Sequence, residues 1–311
     1  PNSIDIYTPI YGQYLPELPL FFNTEEQQRY FALNLQDQIF LNDQWSVLFG
    51  ARFDHVTQDF QNKLAGTSSK KDLQQTSPRL GLNYRLNDRW SWYANYGESF
   101  ALNSGMDRNG DVFNPEKGKS YEIGGKYQIT PQSLLSLALF KMDKENVLTT
   151  DPADSNYQIT AGEVSSKGLE LDLETQLNDQ FSIRANYSYT DAQVEKDQIL
   201  AKGSRLSNVP KHSGSISSNY EWTLANADKV GLGATAIYVG KRSGHSTDNG
   251  FNLPEYTLLN LNAYYAPTDQ LRYQFNVHNL LDETYYVASY SDMWIQPGDP
   301  LNASVSVQWK F

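Results

Sequence analysis

The residues best suited to chemistry in this chain are aromatic side chains and cations set in polar stretches rich in Gly, Ser, Asn and Asp. Segment 281–300 carries Tyr290, Met293 and Trp294, and segment 241–251 carries Arg242, His245 and Phe251. Segment 101–116 adds Arg108 and Phe113, and segment 149–163 adds Tyr157. Aromatic faces stack on flat groups, and guanidinium groups bind anions; this is recognition chemistry rather than bond-making chemistry. Tyr290 and Trp294 lead the set, because rings in a polar loop have no evident packing role. The competing reading assigns Tyr285 and Tyr286 to an interfacial aromatic girdle and leaves the others as solvated loop residues.

Metal and catalytic constellations are weak by comparison. The four histidines, His55, His212, His245 and His278, fit no metal-ligand spacing. His55 and His278 fall on or near polar faces of their segments, where a hydrogen-bonded histidine is the ordinary outcome. The stretch "DRNGD" (Asp107–Asp111) resembles a calcium loop, but Val112 stands where an EF-hand requires glycine. There is no cysteine, hence no thiolate site or disulfide framework, and no G-x-S-x-G elbow. No catalytic residue, resident metal or cofactor is expected. The net charge of -11 and pI near 4.8 exclude nucleic acid as a natural partner.

The elements that hold these stretches are strands. "LNASVSVQWKF" puts Leu301, Ala303, Val305, Val307, Trp309 and Phe311 on one face and Asn302, Ser304, Ser306, Gln308 and Lys310 on the other. The same period of two recurs at Trp45–Asp54, Leu169–Leu177, Phe181–Tyr189 and Leu271–His278. "LLSLALFKM" (Leu134–Met142) is ambiguous in phase, and Asp37 falls on the apolar face of its strand. About thirteen strands follow, roughly at 27–41, 45–60, 72–86, 90–100, 117–129, 134–148, 164–177, 181–194, 208–222, 230–242, 255–266, 270–280 and 301–311. Many approach the roughly 9–11 residues of a tilted membrane strand. Mean hydropathy is only -0.59, and no apolar run is long enough for a membrane helix.

Short connections alternate with long ones: "LNDQW", "LNDRW", "TPQS", "LNDQF", "TLANAD" and "PTDQ" against 61–71, 101–116, 149–163, 195–207, 243–254 and 281–300. This is the layout of an all-β transmembrane antiparallel barrel, with periplasmic turns and extracellular loops. Trp45, Trp90, Phe181, Trp309 and Phe311 then form a girdle at one rim. Inward charges such as Glu170, Asp172, Glu174, Arg184 and Arg272 read as wall residues facing water or an internal domain. A propeller or repeat sandwich would need a fixed period that the sequence lacks. Residues 1–26 lack the basic start and apolar core of a signal peptide. They are expected to form an extracellular segment before a barrel portion at 27–311. Thirteen strands are odd in number and would leave an open edge in lipid, so earlier strands are expected upstream. A weaker alternative makes Ser3–Ile10 a fourteenth strand.

Ten blocks in order resemble the TonB-dependent ferric-siderophore receptors. They are "SPRLGLNYRL" (Ser77–Leu86), "YANYGESF" (Tyr93–Phe100), "GKSYEIGGKY" (Gly118–Tyr127), "ALFKMDKENVLTTDP" (Ala138–Pro152) and "GEVSSKGLELDL" (Gly162–Leu173), followed by "ANYSYTDAQV" (Ala185–Val194), "LSNVPKHSGSISSNY" (Leu206–Tyr220), "LPEYTLLNLNAYY" (Leu253–Tyr265), "FNVHNLLDETYY" (Phe275–Tyr286) and "SVSVQWKF". The resemblance implies a 22-stranded barrel of which this chain holds about the last thirteen strands. It also implies an N-terminal plug and TonB box that lie outside it. Further implications are an outer-membrane location in a Gram-negative bacterium, contact with outer-membrane lipid, a ferric siderophore as ligand and TonB as energising partner. The family's ligand arrives with its iron already wrapped, so no metal ligands are needed. One departure stands out: Phe100 is followed by Ala101-Leu102-Asn103, where many members carry an Arg-Pro pair, and this lowers the case for haem. A passive channel, a receptor for another large nutrient and an outer-membrane hydrolase stay as alternatives.

Overall fold

The computed structural model describes residues 7–9, 20, 22–245 and 249–311. Of the proposed strand at Ser3–Ile10 only residues 7–9 are described, and these form no strand; most of the 1–26 segment lies outside the described residues. The described residues contain no helix. Seventeen strands run in chain order: β1 (Thr24–Phe40), β2 (Trp45–Asn62), β3 (Thr67–Arg85), β4 (Trp90–Ala101), β5 (Glu116–Thr130), β6 (Ser133–Thr150), β7 (Gln158–Gln176), β8 (Phe181–Lys196), β9 (His212–Thr223), β10 (Lys229–Val239), β11 (Arg242–Ser243), β12 (Asn252–Leu253), β13 (Tyr256–Ala266), β14 (Leu271–His278), β15 (Tyr286–Ser291), β16 (Trp294–Pro297) and β17 (Asn302–Trp309). Thirteen of them form one antiparallel sheet in the order β1 to β10, then β13, β14 and β17. The other four make two short ladders, β11–β12 and β15–β16, inside long connections.

The short turns are built by their own sequence. In the three "L-N-D" turns the asparagine Oδ1 accepts two backbone N–H groups: Asn42 from Gln44 and Trp45, Asn87 from Arg89 and Trp90, Asn178 from Gln180 and Phe181. Each turn then closes with the leucine N–H on the aromatic residue's carbonyl at 2.9 Å. This is the local side-chain competition that makes asparagine a turn residue. Thr268 plays the same part for Gln270 and Leu271.

The register assigns two faces. Paired residues point the same way, so Trp45, Val47, Phe49 and Phe53 share a face with Tyr84, Leu82, Leu80 and Thr76. This outer face runs on through Ile123, Leu139, Leu171, Tyr187, Ile216, Leu232, Leu261, Phe275 and Val305, all exposed. An apolar surface of this extent is stable against lipid and not against water. The opposite, inner face is polar, and it is the one onto which the long loops fold. The phase of "LLSLALFKM" is now settled: Leu135, Leu137 and Leu139 are outer, and Ser136, Ala138 and Phe140 are inner. Asp37 is indeed outer, opposite Phe49, with no ion pair among the described residues. His55 corrects the sequence reading: it pairs with Phe31 and Gln74 and faces outward, beyond the apolar band.

At the short-turn rim aromatic residues stack in pairs. Trp45 stacks on Tyr84 at 4.4 Å, Trp90 on Tyr127 at 4.2 Å, and Trp309 on Phe311 at 5.9 Å. On the inner face, Tyr93 and Tyr264 lie flat over Gly124 and Gly231, where any Cβ would collide with the ring.

Strands β2, β3, β6 and β7 run past the expected boundaries. The loop expected at 61–71 shrinks to residues 63–66, and that at 149–163 to residues 151–157. Beyond the apolar band no lipid imposes a period of two, so the alternation fades while the backbone ladder continues.

Candidate functional site

The long loops fold inward as two caps. The first is built on residues 102–115, between β4 and β5. Gln58 on the inner face of β2 is fully buried and donates from Nε2 to the Asn103 carbonyl at 2.8 Å and to the Glu26 carboxylate at 2.8 Å. Asn103 donates from Nδ2 to the carbonyls of Asn114 at 2.8 Å and Asn146 at 2.9 Å. Asn146, at φ 60°, returns a bond to the Pro115 carbonyl at 2.9 Å. Lys71 ties the loop's end through the Val112 carbonyl at 3.1 Å and Asn114 Oδ1 at 2.8 Å. Val112 and Phe113 are buried beneath the loop. Asp107 closes the "DRNGD" turn by accepting the N–H groups of Asn109 and Asp111, so its carboxylate serves the backbone. Arg108 stays half-exposed, its Nε 3.5 Å from Asp151 Oδ2. Together with Tyr157, Met106, Phe60 and the edge of Phe113 it lines a cavity of about 480 Å³.

The second cap joins three loops around Asn208, whose φ is 63°. Its N–H donates to the Ser243 carbonyl at 2.8 Å. Its side chain brackets Ser289, donating to that carbonyl at 2.8 Å and accepting its N–H at 2.9 Å. The Ser289 hydroxyl donates to the Gly244 carbonyl. Arg242 is 1% exposed and gives its guanidinium to the carbonyls of Tyr286, of Val287 at 3.0 Å and of Pro254 at 3.4 Å, 5.5 Å from the Tyr256 ring centre. Burial lowers the pKa of this guanidinium from its ordinary value, yet the carbonyls satisfy it. Nearby, Asp197 opens the β8–β9 loop. Burial alone would raise its pKa, but the N–H groups of Leu200, Ile199 and Gln198 and the Thr149 hydroxyl together hold it below its ordinary value.

The anchored β15–β16 hairpin presents Tyr290, Met293 and Trp294 at 72%, 85% and 73% exposure. The two rings stand 6.3 Å apart at 51° and border a cavity of about 510 Å³ with Ala288, Ile295 and Gln296. Phe251 packs against Gly244, and the His245 carbonyl accepts the Ser243 hydroxyl at 3.2 Å.

The structure thus gathers Arg108, Phe113 and Tyr157 at one cavity and Tyr290, Met293 and Trp294 at another. Two of the expected contact residues are largely covered. Arg242 is buried and its donors are taken by backbone carbonyls, and Phe113 is mostly covered as a prop beneath its loop. Sequence reasoning missed Gln58, Asn103, Asn208 and Ser289. Among these, Asn208 in "SNVP" carried a legible signal, since asparagine before a hydrophobic–proline pair favours a turn.

A sheet with a lipid-compatible outer face, an aromatic row at its short-turn rim and inward-folded long loops defines the wall of a transmembrane β-barrel of the receptor kind. Residues 2–280 match the family model described as TonB dependent receptor-like, beta-barrel. The chain belongs to the TonB-dependent receptor family. It is 41% identical over 314 residues to the metal-pseudopaline receptor CntO of Pseudomonas aeruginosa (strain UCBPP-PA14), covering 99% of this chain and 44% of that protein. It is 30% identical over 315 residues to the ferrioxamine B receptor of Salmonella typhimurium (strain SL1344), with 99% and 44% covered. The fold is that of the ferric-catecholate import receptor Fiu of E. coli (TM-score 0.80, 22% identity, 99% of this chain and 48% of that one). It is also that of the siderophore receptor PiuA of Acinetobacter baumannii (TM-score 0.81, 22% identity, 93% and 44%). The chain spans a little under half the length of the curated relatives it matches.

Proposed function

We propose that the intact protein is an outer-membrane receptor of a Gram-negative bacterium that takes up a metal chelate of the siderophore class, energised through TonB, and that it is not an enzyme. One observation carries the reading: two hydrogen-bonded caps hold exposed aromatic and cationic side chains above the inner face, in a chain that matches a metal-pseudopaline receptor and a ferrioxamine B receptor over 99% of its own length. A chelate hides its metal, so recognition falls to ring faces and hydrogen-bond donors, and Tyr290, Trp294, Met293, Tyr157 and Arg108 supply these. In this reading the segment at 1–26, whose last three residues already belong to β1, is the extracellular approach, and 27–311 is the C-terminal part of the barrel. The relative at 41% identity takes a metal-pseudopaline, which favours a chelate not confined to iron.

The test is uptake of radiolabelled iron, nickel and zinc by cells with or without the intact gene. The metals are offered as hydroxamate, catecholate and pseudopaline chelates, with and without an uncoupler. Gene-dependent uptake of one chelate, abolished by the uncoupler, is expected. Gene-dependent uptake that ignores the uncoupler would establish a passive pore instead, and no gene-dependent uptake of any chelate would overturn the reading.

A further inference from the structure

The inner wall changes character between β8 and β9, along the same rows of the ladder. On β7 the inward residues Glu170, Asp172 and Glu174 are all carboxylates, and Arg184 on β8 gives its guanidinium to Glu174 at 2.8 Å. On β9 the same three rows are filled by Ser213, Ser215 and Ser217. The inward residues continue as Thr235 on β10, then Asn262, Asn276 and Ser304 side by side on β13, β14 and β17. Among the described residues, the inner faces of these five strands carry carboxylate, ammonium or guanidinium groups only at Glu221, Lys229 and Arg272, next to the short-turn rim.

This uncharged lane lies close against the wall. Asn186 donates to the Ser215 hydroxyl at 2.7 Å, the Ser217 and Thr235 hydroxyls pair at 2.9 Å, and Asn276 donates to the Ser304 hydroxyl at 3.4 Å. Gly233 sits between Asn219 and Asn262, whose Oδ1 atoms each stand 2.3 Å from where a Cβ would be. At the foot of the lane the Arg272 guanidinium lies 3.6 Å from the Tyr264 ring centre, and the Tyr264 hydroxyl donates to Glu221. Five strands at about 4.8 Å spacing make the lane about 24 Å wide. The eight residues from Glu221 up to Ser213 climb about 20 Å at about 3.4 Å per residue and a tilt of about 40°. The loops of the second cap, which bear Tyr290 and Trp294, connect these same strands at their upper ends.

A fixed charge in a lumen holds a solute of opposite sign and refuses one of like sign. Hydroxyls and amides exchange hydrogen bonds with either, and passage requires contacts firm enough to admit a solute and weak enough to release it. We propose that the chelate leaves the second cap along the neutral inner face of β9, β10, β13, β14 and β17, with Thr235 and Asn276 lining its passage, and that the charged inner face of β5–β8 takes no part in it. The inference rests on the receptor reading and adds to it the side of the lumen that is used.

The test is uptake of radio-iron ferrioxamine B and radio-nickel pseudopaline by cells carrying the intact gene. Binding of the same probes is measured separately on cells treated with an uncoupler. Thr235→Glu, Thr235→Lys, Asn276→Asp and Asn276→Lys are each expected to slow uptake at least about fivefold while the binding constant stays within about twofold, whichever sign is introduced. Thr235→Gln, equal in size to the glutamate variant and uncharged, is expected to slow it far less. Ser136→Glu and Ser136→Lys, inward on β6 between Lys126 and Asp172, are expected to leave uptake near the wild-type rate. Heat-modifiable migration shows that each variant folds. Full-rate uptake by the charged variants, equal slowing by Thr235→Gln, or equal slowing by the Ser136 variants would each overturn the lane alone. Absence of wild-type uptake of both probes would overturn the receptor reading and the lane with it.

Discussion

Asn208 is the point at which the second cap can be opened by a minimal change. Its φ of 63° is a conformation that glycine adopts freely and alanine does not. Asn208→Gly therefore keeps the backbone and removes only the two side-chain bonds to Ser289, at 2.8 and 2.9 Å. At about 1 kcal/mol net for each, the loss is about 2 kcal/mol, and the stranded polar groups of buried Ser289 push it upward. That corresponds to about a 30-fold rise in the open population of the β15–β16 hairpin. Asn208→Ala removes the same bonds and adds about 1 kcal/mol of left-handed strain, so it opens the hairpin about fivefold further. Hydrogen exchange of the intact protein in micelles, read by mass spectrometry, reports this directly. Peptides covering 286–297 should exchange faster in the order wild type, glycine, alanine, while peptides from β9 and β10 stay unchanged. Unchanged exchange in the glycine variant would refute the bracket around Ser289, and equal effects of glycine and alanine would refute the strain argument.

If the proposed reading holds, Trp294→Ala and Tyr290→Ala should each weaken chelate binding about tenfold or more, as loss of a ring that a ligand covers does, without altering heat-modifiable migration; equilibrium fluorescence titration of the intact receptor checks this. The Asp197 carboxylate is held below its usual pKa, so its stabilisation of the β8–β9 loop is complete above pH about 4 and fades as pH falls through the folded value. The amide resonances of Ile199 and Leu200 should titrate together in that acid range and lose the transition in Asp197→Asn. Gly124→Val should block the seat of Tyr93 and destabilise the barrel by about 2 kcal/mol or more, read as a lower urea midpoint in lipid vesicles. Asp37→Leu should raise the same midpoint by about 1 kcal/mol equivalent, because it removes a carboxylate from the apolar outer face.

The strands were legible because lipid on one side and water on the other impose a strict period of two. That signal placed thirteen strands in order, and identical "L-N-D-x-aromatic" segments located the turns of one rim. It failed where its physical cause ends. Beyond the apolar band no lipid imposes a period of two, so residues 61–62 and 67–71 carry no alternation, although they continue the ladder. The same loss of period put His55 on the wrong face.

The candidate site was legible only in its exposed members, and the reason is chemical. Tyr290, Met293 and Trp294 are conspicuous because large apolar groups in a polar loop stand out against their surroundings. The residues that hold those groups in place are Asn, Gln and Ser, whose role depends on which backbone carbonyl lies within 3 Å, and composition does not encode that. Arg242 shows the cost of judging by residue type alone. An arginine beside an extracellular loop reads as an anion receptor, yet this one has exchanged water for the carbonyls of Pro254, Tyr286 and Val287. The cap is therefore a polar assembly in which each buried donor must find an acceptor, and its integrity rests on a few amides. A ligand that competes for one of those carbonyls would loosen the hairpin bearing Tyr290 and Trp294. The exposed rings and the rigidity at Asn208 are in this way two parts of one hydrogen-bonded unit.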